Sequence, residues 1–463
     1  MRRIPSVNGL LNHPEGKRMI EIYGRENFLK TAREVLEDLR KEILELPVPG
    51  MGEGDLVSEN ILKKIESHLV QKLAPSLRRA VNATGIVIHT GLGRAILAQG
   101  AREAIWNVTK GCCTLATDIE TGLRGHRDIH INRLLCELTG AEAGILVNNN
   151  AAATVLILNT LAKGKEVILS RGQLVEIGGS FRLPEVMETS GSILREVGTT
   201  NRTHLKDYEA AINEKTGAIM RVHHSNYRIM GFAEEPEIEE LVELAKKYNL
   251  PVIDDLGSGA LVDLKEFGLE TEPVVQRSIN AGADVVCSSG DKLIGGPQSG
   301  VIVGKADIVN KIRNNPLMRA FRVGKLTIAS MEATLKLFLN PEKLKKRHPT
   351  YKMFSLSLKE LNKRAAKVAN KLRKTVSERA QVWVEGGESQ VGSGSAPEET
   401  IPTKILCLKA FNLGPENLAK KLRRNEPPIF SRVYRETVLL DFRTIQPDED
   451  ELVEEALLKI LTE

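Results

Sequence analysis

The chain has 463 residues, 41% of them apolar and 27% charged, with a formal net charge of +5. That is the composition of a soluble globular protein, and the length is too great for one ordinary core, so two or three domains are expected. The five cysteines (Cys112, Cys113, Cys136, Cys287 and Cys407) show no paired spacing, which argues against a disulfide framework and for a reduced, cytoplasmic chain.

The opening MRRIPSVNGLLNHPEG is charged and has no apolar centre, so no secretion signal is expected. No apolar run is long enough to span a bilayer. Residues 26–46 and 55–73 have apolar positions near helical spacing, with PVPGMGEGD between them as a loop. They define an N-terminal helical module over 1–75. Its charge is balanced, 14 basic against 12 acidic residues in the first 80.

From 76 to 335 short apolar runs alternate with helical stretches. Strands are expected at Ala143–Val147, Glu166–Leu169, Ala218–Val222, Val252–Asp254, Val285–Cys287 and Val301–Val303, with a helix over Ile238–Tyr248. This alternation predicts an α/β core on a parallel sheet, with its ligand beyond the carboxyl ends of the strands. Residues 336–463 read as a separate α+β domain. Within it, 343–374 carries 12 Lys/Arg against Glu360 alone. That stretch reads as a solvated helix face, or else as a surface for phosphates.

The polar residues after the core strands carry the chemistry. Asn148, Asn149 and Asn150 precede AAAT at a helix start. His223, His224, Ser225 and Asn226 follow one strand, and Asp254 and Asp255 end another. SSGDKLIGG places Ser289, Asp291 and Lys292 after a third. Backbone N–H groups at a helix start bind phosphate. A strand-end carboxylate can keep a pyridine nitrogen protonated, and a lysine in a dry site can bond to an aldehyde. Taken singly, each residue has a plainer use as a helix cap or a surface lysine. Together they make a pyridoxal phosphate site. The 38 residues from Asp254 to Lys292 leave room for one helical crossover.

Several long segments resemble bacterial selenocysteine synthase, the L-seryl-tRNA(Sec) selenium transferase family. They are RRIPSVNGLL, VNATGIVIHTGLGRA, DIETGLRGHRD, VNNNAAAT, RVHHSNYRIMGF, VIDDLGSGAL, SSGDKLIGGPQSGVIVG and LRRNEPPIFSRVYRETVLLDFRTI. The resemblance runs nearly end to end. It implies a fold-type I (aspartate aminotransferase-like) pyridoxal phosphate enzyme acting as a homo-oligomer built from dimers. Lys292 would bond to the cofactor, and Asp254 would partner the ring nitrogen, with Asp255 as its rival. Ser289 and the backbone of Asn149, Asn150, Ala151 and Ala152 would hold the phosphate, and Asn226 would lie near the ring. Arg94, Arg319 and Arg322 would bind selenophosphate, with Asp291 assisting. Seryl-tRNA(Sec) would be gripped by the N-terminal module, through Arg2, Arg3, Lys17 and Arg18, and by the basic 343–374 stretch. The implied reaction is loss of water from the seryl group to an aminoacrylyl ester, followed by addition of selenium. GSGSAP stands where the family has a more glycine-rich run.

Two other readings remain at this point. One is a small-molecule lyase on the same scaffold, with Lys292 but no need of a tRNA module. The other is a tRNA-binding protein on an inactive scaffold, against which Asp254 and Lys292 both speak. Nucleotide enzymes fit poorly, since GLGRAI lacks the third glycine of a dinucleotide fingerprint. HRDIH lacks the glutamate of a zinc-protease helix, so no metal is expected.

Overall fold

The computed structural model describes residues 5–45, 58–178 and 181–463. These fall into two compact units, Met1–Arg79 and Ala80–Glu463. The first holds α1 (Val7–Asn12), α2 (Pro14–Tyr23), α3 (Arg25–Glu45) and α4 (Ser58–Leu73). Two short helices thus precede the two expected from periodicity. Pro14 at the first turn of α2 and the His13 cap explain the break between them. The helices close on one core that includes Leu10, Met19, Phe28, Leu36, Ile61, Ile65 and Leu69. The expected PVPGMGEGD loop and Arg2 and Arg3 lie outside the described residues.

The second unit is built on a seven-stranded sheet. Its strands are β1 (Ala143–Val147), β2 (Glu166–Ser170), β3 (Ile193–Val197), β4 (Thr216–Val222), β5 (Val252–Gly257), β6 (Val285–Ser289) and β7 (Gly300–Gly304). Their order is β1-β7-β6-β5-β4-β2-β3. β7 runs antiparallel to both its neighbours and the remaining pairs are parallel. The purely parallel sheet expected from the alternation is therefore a mixed one. The loop Gly290–Ser299 turns the chain straight back, with no crossover helix to keep β7 parallel to β6. α5 (Asn150–Leu161) packs on one face through Leu156 and Ile157 among Ile145, Ile253 and Ile302. Val286, Val301, Ile219 and Leu146 face the opposite layer. Both faces are covered, which is why the strands read as unbroken apolar runs.

The boundary expected at 335/336 falls inside this compact unit. The C-terminal part still has its own sheet: β8 (Ala380–Gln390), β9 (Thr400–Ala410), β10 (Arg432–Tyr434) and β11 (Thr437–Asp441), in the order β8-β9-β11-β10. Val81–Asn82 pairs in parallel with Ile429–Phe430, so the chain entering the core also lines the C-terminal layer. The basic stretch forms three helices, of which α6 (Leu358–Val376) buries Leu361, Ala365, Val368 and Leu372. Its Lys363, Lys367 and Lys374 point to solvent, while Arg364 holds Asp450 and two backbone carbonyls. It is a solvated amphipathic face.

One buried carboxylate joins the layers. Asp441 accepts from Ser389 Oγ (2.9 Å), Thr403 Oγ1 (2.7 Å) and Arg443 N (3.0 Å). Gly85 sits against it with φ +78°, and a Cβ there would overlap Asp441 Oδ2. Gly85→Ala is expected to destabilise the second unit by about 2–4 kcal/mol, from left-handed strain plus displacement of a buried charge. The check is a lowered melting temperature in scanning calorimetry, whereas Gly93→Ala, at a positive φ in open space, should cost only about 1 kcal/mol.

Candidate active site

The site gathers at the carboxyl ends of β4, β5 and β6, around Lys292. The apolar strand β6 ends in Ser288 and Ser289, and the turn beyond it is clamped by its own backbone. Gly290 N–H donates to Ser299 O (2.8 Å), Gly296 N–H to Gly290 O (2.8 Å), and Leu293 N–H to Ser258 O (3.1 Å). Lys292 is thereby held 5% exposed. Burial pushes its pKa down and Arg94 pushes the same way, while Asp255, Asp291 and Glu272 oppose them. A free amine thus persists to lower pH than on an ordinary lysine.

The two aspartates of β5 point to opposite faces of the sheet, as neighbours on a strand must. Asp254 lies on the face of Arg221, whose Nε donates to its Oδ1 at 2.9 Å. Asp255 lies on the face of α5. Its Oδ1 accepts from Asn150 Nδ2 (2.8 Å) and Gly257 N (3.0 Å), and its Oδ2 from Thr154 Oγ1 (3.0 Å). Asp255 pairs in register with Cys287, so Ser289, two residues further along β6, points to that same face. The helix start, Ser289 and Asp255 therefore share one side of the sheet. Asp255 is buried, which raises its pKa against the pull of its hydrogen bonds and Lys292.

Asn149 caps α5, its side chain accepting from Ala152 N–H at 2.9 Å. The expectation that Ala152 N–H binds phosphate is thereby corrected, since the cap already uses that group. The first-turn N–H groups of Asn150 and Ala151 have no intrahelical acceptor and face outward. Gly300 lets β7 pass directly beneath Asn149, where a Cβ would strike the Asn149 carbonyl. Asn226 Nδ2 donates to Glu176 O (2.8 Å), and the residue lines a cavity with Tyr227, Gln390 and the 392–399 loop. His223, by contrast, lies close to Lys292. Burial, then Arg221 and His224, hold its pKa down at about 4, so it is neutral at physiological pH.

The three expected donor-binding arginines do not meet in one cavity. Arg94, at φ +64°, donates to Asp291 Oδ2 at 2.8 Å and lines a cavity with Thr90, Pro297 and Gln298. Arg319 and Arg322 line another, of about 460 Å³, together with Arg124, His126, Arg127 and Arg313. Of these, Arg313 is paired with Asp128 (2.6 Å) and Arg127 donates to Val323 O (2.8 Å). Desolvation, then the like charges of Arg127, Arg319 and Arg124, lower the pKa of Arg322. Arg124 and Arg127 were not singled out as functional in the sequence. Their signal was the TGLRGHRD motif, whose two arginines lie some two hundred residues from Arg322.

A family model described as L-seryl-tRNA selenium transferase matches residues 80–446, and one described as selenocysteine synthase N terminal matches 1–40. The L-seryl-tRNA(Sec) selenium transferase of Alkaliphilus oremlandii is 44% identical over 460 residues, covering 99% of this chain and 98% of the relative. That of Nitratidesulfovibrio vulgaris is 45% identical over 466 residues, with the same coverage. The chain belongs to the L-seryl-tRNA selenium transferase family. Among solved structures, D-glucosaminate-6-phosphate ammonia-lyase superposes with a TM-score of 0.58 at 20% identity, covering 85% of the transferase and 98% of that chain. The transferase has the fold-type I architecture, and its cofactor is pyridoxal phosphate.

The residues present fit that cofactor. Around Lys292 the buried polar atoms Asn150 Oδ1, His223 Nδ1, Ser258 Oγ and Asp291 Oδ1 have no hydrogen-bond partner. Such a concentration of unpaired groups is costly in an apolar interior and marks a place built for a polar ligand. Among the described residues, no group of His, Cys, Asp or Glu could hold a metal ion, and no helix is long and apolar enough to cross a membrane.

Proposed function

We propose that the transferase converts seryl-tRNA(Sec) to selenocysteinyl-tRNA(Sec), with selenophosphate as donor, at the centre formed by Lys292, Asp255, Ser289 and the start of α5. The buried Lys292, just beyond the strand that ends in Ser289 and within the field of Asp255, carries this reading. Asn150 and Ala151 N–H groups and Ser289 would hold the cofactor phosphate. Asp255 would face the ring nitrogen, in place of the Asp254 preferred from sequence, because Asp254 lies on the Arg221 side of the sheet. Bound pyridoxal phosphate supplies an electron sink for the substrate α-carbon.

The chain's own groups do the rest. The Lys292 amine, which burial makes readier to give up its own proton, takes the α-proton of the seryl group. Asp291 holds Arg94 at the mouth of the site, where an anion can displace one bond of the pair. Arg319 and Arg322, with Arg124 and Arg127, form a second basic surface suited to a phosphate. The aminoacyl ester has no free carboxylate, so these cations are available to the donor. Exposed Trp106 (67%), Ile119 (77%) and Leu123 (69%) on the segments leading to that cavity support a homo-oligomer that covers them. The free cysteines are in keeping with a cytoplasmic enzyme.

For the tRNA, the N-terminal unit offers Lys17. Arg18 is already held by Glu15 (2.7 Å) and Glu66 (2.6 Å). The direct test is incubation with seryl-tRNA(Sec) and selenophosphate, with the aminoacyl product identified by mass. Recovery of unchanged seryl ester would refute the reading. Arg322→Ala should raise KM for selenophosphate about tenfold or more, the worth of one charge-assisted contact, with KM for the tRNA unchanged. Steady-state kinetics with each substrate varied in turn checks this.

A further inference from the structure

Three glycines border the lysine turn, Gly290, Gly295 and Gly296, and the space left by their missing side chains is filled from further along the chain. A Cβ on Gly290 or Gly296 would press on Met331 Cε of the helix Lys325–Phe338, and one on Gly295 would overlap Cε1 and Nε2 of His348. The reaction as described has no use for His348. Yet it is 0% exposed, and its ring Nε2 donates to Ile294 O at 2.9 Å across 54 residues of sequence.

His348 is itself held on every side. It ends the helix Pro341–Arg347 and precedes Pro349, which opens the helix Pro349–Ser355. A residue before proline is confined to extended backbone, and His348 has φ −90° and ψ 117°. Its N–H donates to Leu344 O (2.9 Å), and its carbonyl accepts from Lys352 N–H (2.8 Å). The ring stands edge-on to Phe338 and Tyr351, with centroids 5.5 and 4.9 Å away. A carbonyl only accepts, so the bond to Ile294 places the ring proton on Nε2. Nδ1 is buried with no hydrogen-bond partner, and burial holds the pKa down at about 4, so the ring is uncharged at physiological pH.

The bond matters because of the peptide it reaches. The Ile294–Gly295 peptide donates its N–H to Lys292 O (3.0 Å), and its carbonyl accepts from His348. Both polar groups of one peptide plane are thus fixed, one of them on the backbone of the lysine itself. Gly295 has φ +68°, and glycine takes either sign of φ readily. Without His348 only the N–H end would hold this plane. We propose that His348 is a positioning residue for Lys292, fixing the turn through the Nε2–H bond to Ile294 O and the fit of its ring to Gly295. The inference rests on Lys292 being the lysine bonded to the cofactor. That side chain serves as attachment point and as base, so a small spread in its backbone costs proton transfer before it costs binding.

The test compares His348 variants of the purified holoenzyme. His348→Leu keeps an apolar filling and has no donor. His348→Gln carries an amide N–H out to the region of Nε2, whereas His348→Asn, equally polar, stops one bond short. kcat should fall about tenfold or more in His348→Leu and His348→Asn, with KM for seryl-tRNA and for selenophosphate unchanged. It should return close to the parent value in His348→Gln. The visible circular dichroism per bound cofactor should weaken and recover in the same order, since it reports how firmly the site holds the chromophore. A role in packing alone would lower the melting temperature of all three variants and leave kcat intact. Unchanged kcat in His348→Leu overturns the proposal. Equal kcat in His348→Gln and His348→Asn overturns it too, even should the leucine variant not fold. Absence of any visible band in the unmodified protein would instead overturn the assignment of Lys292 on which it rests.

Discussion

Lys292→Ala is expected to abolish the visible absorbance of the holoprotein and to reduce selenocysteinyl-tRNA formation by at least about 10³-fold, the scale of losing both an attachment point and a general base. The turn that carries the lysine is fixed by backbone bonds, Gly290 to Ser299, Gly296 to Gly290 and Leu293 to Ser258, none of which uses the lysine side chain. The apolar layers on both sides of β6 are equally independent of it. The variant should thus fold, and its melting temperature without cofactor should lie close to that of the parent. Lys292→Arg would fail for a different reason, because a guanidinium does not give up its proton and cannot bond to an aldehyde. Borohydride reduction followed by peptide mass analysis separates these cases. The parent should carry the cofactor mass on the peptide containing Lys292, and neither variant should carry it anywhere. A cofactor mass on another lysine would move the centre of the site away from β6.

The core strands were legible because both faces of the sheet are buried. β1, β2, β4, β5, β6 and β7 are apolar runs bounded by polar turns, which is what two covering layers require. β3 was missed for the complementary reason. It is an edge strand, and Ile193, Arg195 and Glu196 are not buried, so no apolar run marks it. The direction of β7 was not legible, since composition does not record whether a short loop returns antiparallel. The same limit governs the site. Lys292, Ser289 and Asn149 announce themselves as polar residues at strand ends and at a helix start. The choice between Asp254 and Asp255 depends on which face each presents, and that is set by the register of β5 against β6. Asn226 follows its strand as a site residue would, yet its amide is taken up by the Glu176 carbonyl. Glu272 has no local pattern at all. It is tied to the 392–399 loop by the Ala396 N–H, a contact across 124 residues.

Asp255→Asn and Asp254→Asn should part company, although the two residues are adjacent. Asp255 accepts from Asn150, Thr154 and Gly257 on the face of the phosphate-binding helix, and an amide can satisfy only part of that set. Its substitution removes the negative charge nearest the expected ring nitrogen while keeping the volume. Turnover should fall on the order of 10²–10³-fold, as when one preorganised electrostatic contact is lost. The cofactor band should shift in Asp255→Asn, because the ring nitrogen would no longer be held protonated. Asp254→Asn should act chiefly on stability. It leaves Arg221, only 13% exposed in its side chain, without a counter-charge in a buried position. Breaking such a pair from one side costs about 3–5 kcal/mol, and the thermal transition should drop accordingly. Once folded at low temperature, the Asp254 variant should keep most of its turnover and an unshifted cofactor spectrum. The reverse outcome, a shifted spectrum for Asp254→Asn and a near-native one for Asp255→Asn, would place the ring on the Arg221 side of the sheet. It would also separate the cofactor from the start of α5, since that helix and Arg221 lie on opposite faces.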